Sequence, residues 1–375
     1  MEFRSYSHME NEYRILKTEK VQEILSNNQI EFVALEKIHG TNFSFLTNGV
    51  DIQCCRRSDI LKPDENFYNW QNILKKYKTN IINLFGLVKE KLSIKGIEII
   101  QIQLYGELYG GHYPGVDKIN GIKSIQKGIY YSNSNEFAGF DLKYFIKHDL
   151  DNLNNLNESN ESNESYKSNE SNESNESNES NESNEYARYL DWDLFEQVLT
   201  QVSIPIVPVI KRGLWAEISK SNPKFESEVY KLHGLTKISN NWAEGFVIKP
   251  VQEIYFKGEQ ERLIWKFKNP SFSEIALGKT DSSNSVNKEN LTNPFVTRLE
   301  KYVCENRYDN VVVKVIEGTQ VDKVVEMFYK DVWLDFINDL ETDNMVLTDL
   351  DKKECEKKLR GLANGFIRKR YIIKK

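Results

Sequence analysis

Cysteine and long apolar runs are both scarce in this chain of 375 residues. The four cysteines (Cys54, Cys55, Cys304 and Cys355) show no CxxC spacing, and the five histidines are scattered. A structural zinc site is therefore not expected, and the cysteines are expected to be reduced, buried thiols. No apolar run approaches the length of a membrane span, and the N-terminus is polar where a secretory signal needs an apolar run. We therefore expect a soluble intracellular protein, cytoplasmic or nuclear, that does not contact a membrane.

An excess of positive charge is also missing, because the formal net charge is −6. This acidity comes from a tract of Asn-Glu-Ser triplets at 157–185, which contains nine Glu and one Lys and so carries −8. The remainder of the chain has a net charge of +2. The overall acidity therefore does not argue against a polyanionic substrate. Basic residues cluster at the end of the chain, in Arg368, Lys369, Arg370, Lys374 and Lys375.

Two polar segments divide the chain. The Asn-Glu-Ser tract is too polar to bury anything, and strand patterns on both sides predict a disordered loop inserted within one domain. The polar residues 279–290 predict a linker. Strand patterns dominate before it, whereas apolar residues from Val321 to Val332 follow helical spacing after it. We therefore expect an α+β fold, with antiparallel sheets and flanking helices at 1–278 and a small helical domain at 291–375.

Five segments place charged residues beside apolar strands. The first contains a lysine at a turn, and the second is a strand with one polar face. An apolar strand runs into Lys37, and the chain turns at Gly40 before a second strand begins. Such a lysine can be held rigidly at the mouth of a cleft, or it can be an ordinary surface lysine in a hairpin. The polar strand face suits the wall of a ligand site, but a solvated sheet face would look the same. Strand alternation assigns to that face Gln101, Gln103, Tyr105 and Glu107.

The remaining segments are 137–141, 243–250 and 263–268, and the last of them carries two lysines on one strand face. Lys266 and Lys268 share this face, while Leu263, Trp265 and Phe267 share the other. Two like charges side by side repel each other, and an anionic ligand such as a phosphate would explain their presence. A solvated edge strand that resists aggregation remains the alternative.

The motifs in chain order are Glu-Lys-Ile-His-Gly-Thr-Asn-Phe at 36–43, Tyr-Gly-Glu at 105–107, Phe-Asp at 140–141, Glu-Gly-Phe-Val-Ile-Lys-Pro at 244–250 and Lys-Phe-Lys at 266–268. This order resembles the covalent nucleotidyltransferase superfamily, which holds ATP-dependent DNA ligases, RNA ligases and mRNA capping enzymes. The residues next to the lysine are similar to the double-strand type of RNA ligase, known from phage and from the RNA-editing ligases of kinetoplastids. The segments 6–11 and 302–307 also resemble that type, so the resemblance covers nearly the whole chain except the Asn-Glu-Ser tract.

The resemblance implies that Lys37 attacks the α-phosphorus of ATP and holds AMP as a phosphoramide. A protonated ammonium cannot attack, and the charges of Lys266 and Lys268 would favour loss of its proton while stabilising charge on the phosphate. The family carboxylate that matches Glu244 lies at a metal site, and Mg²⁺ or Mn²⁺ favours such oxygen ligands. The first domain would then be an adenylyltransferase domain, with ATP and a divalent cation as cofactors.

The resemblance also implies roles for other residues of the nucleotide site. Arg57 and Glu107 would contact the ribose, although Arg56 directly precedes Arg57 and the alignment could shift by one residue. Phe140 would stack on the base, with a role as an ordinary core aromatic as the alternative. Asp141 matches a functional carboxylate of the family and is assigned with the RNA end. The implied contacts with ATP or AMP also include Glu36 at the adenine, Ile38 beside the lysine and Lys249 near the phosphates. His39 and Asn42 would act near the phosphates and the RNA end.

These implications predict a monomeric ATP-dependent RNA ligase that joins 3′-OH and 5′-phosphate ends, with nicked duplex RNA as the expected substrate. The helical domain would recognise the nick. A DNA ligase or a capping enzyme would share the first chemical step, but both usually append an oligonucleotide-binding barrel where this chain has a helical pattern. A nucleic-acid end-binding protein that has lost catalysis is the third alternative, which the intact Lys37, Glu107 and Glu244 disfavour.

Overall fold

The computed structural model describes residues 1–7, 9–146, 186–256, 261–272, 293–315, 318–343 and 345–371. The predicted loop at 157–185 and the predicted linker at 279–290 lie outside the described residues. Two five-stranded sheets with flanking helices form the N-terminal part, and helices form the C-terminal part. The expected α+β class with a helical C-terminal region is confirmed, whereas the domain boundaries stay a prediction.

The first sheet is mixed and carries the residues around Lys37. In order across the sheet, its strands are β1 (Glu10–Asn11), β12 (Trp265–Lys268), β9 (Gly245–Pro250), β2 (Glu31–Glu36) and β8 (Val209–Leu214). β1 runs parallel to β12, and the other neighbours are antiparallel. Side chains alternate along β2, so Phe32 packs in one core cluster and Val33 in another. Both faces of this sheet are therefore covered by apolar residues.

The second sheet is antiparallel throughout. Its strands, in order, are β4 (Ile52–Arg56), β3 (Thr41–Thr47), β5 (Ile99–Gly110), β6 (Asn135–Ile146) and β7 (Tyr186–Tyr189). The register of β5 on β6 shifts between Tyr105 and Gly106, which is a β-bulge beside Glu107. A small hairpin pairs β10 (Tyr255–Phe256) with β11 (Glu261–Arg262).

Helices cover the sheets because they carry apolar stripes. The 24-residue α3 (Trp70–Ser93) buries residues three or four apart, among them Ile73, Tyr77 and Ile81, against the second sheet. Trp192 and Phe195 of α4 (Trp192–Gln201) join the same core. The shorter helices of this part are α1 (Glu12–Ile15), α2 (Glu19–Ser26) and α5 (Trp215–Ile218), with 3₁₀ helices at Val229–His233 and Pro270–Phe272.

Four helices form the described C-terminal part around a separate apolar core. They are α6 (Pro294–Glu300), α7 (Glu305–Val312), α8 (Val321–Thr342) and α9 (Asp349–Tyr371). The predicted helical spacing is confirmed, because Val324, Phe328 and Val332 are all buried on one side of α8. No helix within the described ranges is long and apolar enough to cross a membrane.

A buried ion pair joins α1 to the C-terminal helices. Arg14 Nε donates to Asp339 Oδ1 on α8 at 2.6 Å, and the Tyr13 hydroxyl donates to the same oxygen at 2.9 Å. Arg14 and Asp339 are both almost inaccessible to solvent. Removing one partner of such a pair would leave a buried charge without its counter-ion, so this contact fixes α8 relative to the first sheet.

Candidate active site

Lys37 and Glu244 are brought together by the pairing of β2 with β9. Lys37 directly follows β2, and its backbone N–H donates to the Gly245 carbonyl at 2.9 Å. Gly245 has a φ of +140°, and a Cβ there would lie 1.9 Å from the Phe267 carbonyl oxygen of β12. Only glycine fits this close approach, which explains the glycine after Glu244 in the motif.

A carboxylate in contact with two lysines and a histidine lies at the centre of the site. Lys37 Nζ is 2.7 Å from Glu244 Oε2, His39 Nδ1 is 3.3 Å from the same oxygen, and Lys268 Nζ is 3.6 Å from Oε1. Burial by itself would raise the pKa of Glu244. The charge of Lys37, the hydrogen bond from His39 and the charge of Lys268 outweigh it, so this pKa lies well below its usual range. Glu244 is therefore a permanent anion in contact with the predicted nucleophile.

A divalent metal at this site would need phosphate oxygens as ligands in addition to the protein side chains. No group of three or more His, Cys, Asp or Glu side chains able to hold a metal exists among the described residues. Mg²⁺ usually binds through one or two carboxylates together with substrate phosphates. Glu244 is one such ionised carboxylate, and it lies at the cavity beside Lys37. The donor set therefore fits a metal that arrives with a nucleotide.

The opposite wall of the site comes from the second sheet. Asn42 on β3 lies directly opposite Glu107 on β5. A Cβ on Gly40 would lie 2.1 Å from the Leu108 carbonyl oxygen, so the turn after Lys37 packs against β5 without space for a side chain. Burial raises the pKa of Glu107 to about 8, against the lowering effect of the Lys37 charge. Near neutral pH, Glu107 is therefore protonated in part of the molecules and charged in the rest.

Glu36 is the buried acceptor at the inner end of the site. Its Oε2 accepts from the Glu228 backbone N–H at 2.8 Å. Its Oε1 is buried, and among the described residues it has no hydrogen-bond partner. Burial raises the pKa of Glu36 to about 7, while hydrogen bonds from Ser227 and Glu228 act in the opposite direction. A buried carboxyl oxygen without a partner is costly, so a donor such as a base amino group would be favoured there.

A cavity of about 410 Å³ contains nearly all of the residues that the sequence predicts. This volume lies within the usual range of ~300–1,000 Å³ for small-molecule sites. Apolar contributions from Leu35, Val207, Val247 and Ile264 line it as well. The predicted residues that line the cavity are Glu36, Lys37, Ile38, His39, Asn42, Arg57, Glu107, Phe140, Glu244, Lys249, Lys266 and Lys268.

The two neighbouring arginines at the end of β4 have different surroundings. Arg57 lines the cavity, and its charge acts on Glu107. Arg56 instead forms ion pairs with Asp59 and with Glu65, the latter at 3.7 Å. Of the two candidates that the sequence left open, Arg57 is the one that the structure brings to the site. Its contact with a ribose stays a prediction.

Asp141 and Lys249 belong to a buried ion network, in which Lys249 also lines the cavity. Lys249 Nζ contacts Asp141 Oδ1 at 3.0 Å and Glu253 Oε1 at 3.2 Å, and the side chains of Lys249 and Asp141 are fully buried. Arg262 completes the network by bonding both carboxylates. Burial would raise the pKa of Asp141, but the charges of Arg262 and Lys249 outweigh it and lower this pKa. Asp141 is the one predicted residue that does not line the cavity, and its role at the RNA end stays a prediction.

Sequence reasoning missed two groups of residues at the cavity. Tyr6, from the N-terminal segment, lines it beside Phe140. The segment around Tyr6 belongs to the family resemblance, but nothing in its local pattern indicates a pocket residue. The second group comes from α7, from the turn that follows it and from α8, where no motif marks it. It consists of Asn310, Lys314, Asp331, Leu334 and Asp335.

A lysine after a sheet strand, a buried carboxylate in contact with it and two lysines on the neighbouring strand define the class of covalent nucleotidyltransferases. Residues 30–268 match the family model described as RNA ligase. The chain belongs to the RNA ligase family, so the prediction of an RNA ligase is confirmed. All five predicted motifs lie within the matched residues.

Two curated relatives are RNA-editing ligases. The chain is 23% identical over 376 residues to the mitochondrial RNA-editing ligase 2 of Trypanosoma brucei brucei, a match that covers 86% of this chain and 81% of that protein. It is 33% identical over 137 residues to the mitochondrial RNA-editing ligase 1 of Trypanosoma brucei brucei, covering 31% of this chain and 29% of that protein. Both names place those relatives in mitochondria, so the expected cytoplasmic or nuclear location of this chain gains no support.

Solved RNA ligase structures from Naegleria gruberi also match the chain. A lysine-to-alanine variant, solved with ATP and Mn, shares 13% sequence identity at a TM-score of 0.40. The match covers 72% of this chain and 57% of that chain. The chain thus spans little more than half the length of that solved ligase.

Proposed function

We propose that this protein joins RNA ends with ATP through a lysyl–AMP intermediate on Lys37. The observation that carries the proposal is the position of Lys37 Nζ, which lies at the cavity 2.7 Å from Glu244. In the first step Lys37 loses a proton, and the lone pair of Nζ then forms a bond to the α-phosphorus. The bond to the bridging oxygen breaks to release pyrophosphate, and the nitrogen loses a second proton to solvent. Lys266 and Lys268 enter the cavity from β12, where they can stabilise the charge on the α-phosphate.

The intermediate then transfers AMP to RNA. A 5′-phosphate oxygen attacks the phosphorus of the phosphoramide, and Lys37 leaves with a proton. The 3′-OH next attacks the 5′-phosphorus of the adenylylated RNA, and AMP is released as the phosphodiester forms. The protein needs to supply positioning and charge neutralisation in each step, since the phosphoryl group carries the reaction. Mg²⁺ or Mn²⁺ held by Glu244 would neutralise phosphate charge in this site.

The adenosine would extend from Lys37 toward Glu36. The partnerless Oε1 of Glu36 suits the adenine amino group, and the half-buried Phe140 offers a ring for stacking. Glu107 and Arg57 on the second sheet suit the ribose hydroxyls. These contacts favour ATP over GTP, because guanine presents an oxygen where adenine presents the amino group. A capping-type enzyme would use GTP instead.

The substrate is proposed to be nicked duplex RNA held by a monomer. Residues 1–278 would form the adenylyltransferase domain, and residues 291–375 would recognise the nick. DNA ligases and capping enzymes usually append an oligonucleotide-binding barrel after the fifth motif, whereas the described residues beyond 293 form helices α6 to α9 with their own core. Every residue assigned to the lysine chemistry lies before residue 279.

Labelling with ATP and sealing assays test this function. Wild-type protein incubated with α-labelled ATP and Mg²⁺ should form a labelled adduct that survives denaturing electrophoresis, and GTP should label it poorly. Sealing should be fastest on nicked duplex RNA, compared with nicked DNA and single-stranded RNA. Lys78→Ala is the matched control for Lys37→Ala, because Lys78 is an exposed lysine on α3. Lack of a covalent adduct in the wild-type protein would refute the proposal and favour an end-binding protein.

A fragment of residues 1–278 tests the proposed division between the domains. It contains every residue assigned to ATP, so it should form lysyl–AMP but seal ordinary 5′-phosphate nicks poorly. A fragment that melts at a lower temperature and forms no adduct would show that the C-terminal helices stabilise the fold. That outcome would contradict a separate role in nick recognition.

A further inference from the structure

The N-terminal strap, residues 2–7, lies along the polar face of β5. Gln101 Oε1 accepts from the Glu2 backbone N–H at 2.9 Å, and Gln101 Nε2 donates to the Glu2 carbonyl at 2.7 Å. Gln103 Oε1 accepts from the Arg4 N–H at 3.1 Å, and the Tyr105 hydroxyl donates to the Arg4 carbonyl at 2.8 Å. The side chains of this face thus pair with backbone groups as a neighbouring strand would.

The strap delivers the Tyr6 ring to the cavity edge. Tyr6 packs edge-on against Phe140, with ring centroids 5.0 Å apart and an interplanar angle of 70°. Its ring also contacts Tyr105 at 5.1 Å and Tyr189 at 5.9 Å. An edge-to-face pair restricts both rings, and here it fixes the plane of the side chain on which the base is proposed to stack. Phe140 itself is only partly buried, so the core alone does not enclose it.

The Tyr6 hydroxyl is anchored in the buried ion network. It donates to Asp141 Oδ2 at 2.9 Å, and Lys249 holds the other oxygen of Asp141 at 3.0 Å. Arg262 bonds Asp141 and also stacks over the Tyr189 ring, with its guanidinium carbon 3.9 Å from the centroid. A fully buried, paired carboxylate is a rigid acceptor, so Tyr6 is held at both its ring and its oxygen.

We propose that Tyr6 is a positioning residue of the adenosine pocket, acting through Phe140 and held by Asp141 and the N-terminal strap. The inference rests on the proposed function, because it needs an adenine stacked on Phe140. It assigns to Asp141 and Lys249 a role different from contact with phosphate or RNA. Both residues hold the aromatic wall of the cavity instead. It also gives a function to the polar face of β5, which seats the strap.

Three variants of the full-length protein test the inference. Tyr6→Leu removes the ring, and Tyr6→Phe removes one oxygen while keeping the ring. The matched control is Tyr113→Phe, because the buried Tyr113 donates its hydroxyl to the Thr236 carbonyl at 2.6 Å and does not line the cavity. The measurements are AMP binding by calorimetry, the KM and kcat for lysyl–AMP formation, and the melting temperature.

Loss of the ring should weaken AMP binding about 10-fold and raise the KM for ATP by the same factor, with kcat within about 2-fold of wild type. Loss of the hydroxyl alone should give about a 3-fold change in the same direction. Gln101→Ala, far from the cavity, should shift AMP binding in the same sense by loosening the strap. A lower kcat with KM and AMP binding unchanged would overturn the inference. So would equal effects of Tyr6→Phe and Tyr113→Phe.

Two readouts separate this inference from the proposed function. If the wild-type protein forms no lysyl–AMP, the proposed reaction fails, and AMP binding alone then decides the role of Tyr6. If Tyr6→Leu does not fold, the melting temperature shows it, and Tyr6→Phe carries the test because it removes a single atom. Unchanged AMP affinity in Tyr6→Phe and Gln101→Ala would then overturn the positioning role.

Discussion

Replacing Glu107 with glutamine should stabilise the ligand-free protein while weakening its binding of nucleotide. Burial raises the pKa of Glu107 from its ordinary value of 4.5 to about 8. Between these values the folded protein keeps a proton that the unfolded chain has released. Stability is therefore lost as pH rises from about 4.5 to about 8, and it changes no further above that range. Glutamine is neutral throughout, so it avoids this loss.

The size of the effect is set by the pKa values. One unit corresponds to ~1.36 kcal/mol, so the raised pKa of Glu107 costs up to about 3 kcal/mol at pH 7 and about 1 kcal/mol at pH 5. Solvent screening in the open cavity reduces both figures, but the difference between the two pH values keeps its sign. At roughly 2–4 °C per kcal/mol, Glu107→Gln should raise the melting temperature by several degrees more at pH 7 than at pH 5.

Thermal melting between pH 5 and pH 8 checks the prediction, together with AMP binding at pH 7. Glu98→Gln is the matched control, because Glu98 is exposed just before β5. The ribose hydroxyl should favour the charged carboxylate, so AMP binding by the wild type should release a proton, and Glu107→Gln should bind without that release. A variant that is less stable than wild type at pH 7, or a stability gain independent of pH, would refute the reasoning.

Three further changes have defined outcomes. Lys37→Arg should abolish the covalent adduct, because arginine keeps its charge and cannot readily lose a proton to attack; stoichiometric labelling of this variant would contradict the assignment. Gly40→Ala should both lower the melting temperature and slow adenylylation, because the alanine Cβ would lie 2.1 Å from the Leu108 carbonyl oxygen. A wild-type melting temperature and a wild-type adenylylation rate would contradict the close packing. Deletion of residues 157–185 should leave adenylylation unchanged. It should strengthen RNA binding at low salt, because it removes a charge of −8. Loss of the covalent adduct would instead reveal a structural role for the tract.

The two lysines of β12 could be predicted from the sequence, because strand periodicity fixes their directions. Trp265 is fully buried, and Lys266 and Lys268 on either side of Phe267 both reach the cavity. Glu244 lies just before β9, and its role was implied by the family resemblance, not by alternation. Alternation assigns a face to each residue, and the order of motifs indicates which faces meet.

Strand alternation did not identify the partners of the polar face of β5. Both sequence interpretations, a ligand wall and a solvated face, were incomplete. Glu107 lines the cavity, whereas Gln101 and Gln103 bind the backbone of Glu2 and Arg4. Periodicity shows that a face is polar, but a partner about 99 residues away in sequence leaves no local signal. The N-terminal strap could therefore be found only from the structure.

Two acidic side chains of α8 line the cavity, and the composition of the chain does not reveal them. Asp331 and Asp335 of α8 line a cavity proposed to bind polyanions, which would repel them. The nearly inaccessible Arg307 bonds both carboxylates, reaching Asp335 at 2.9 Å, and so neutralises part of their charge. Arg368 and Arg370 of α9 also bond acidic side chains of the neighbouring helices, Asp322 on α8 and Glu305 on α7. Part of the basic cluster at the end of the chain is thus paired within the fold, and nick recognition through it would require these arginines to exchange carboxylate for phosphate.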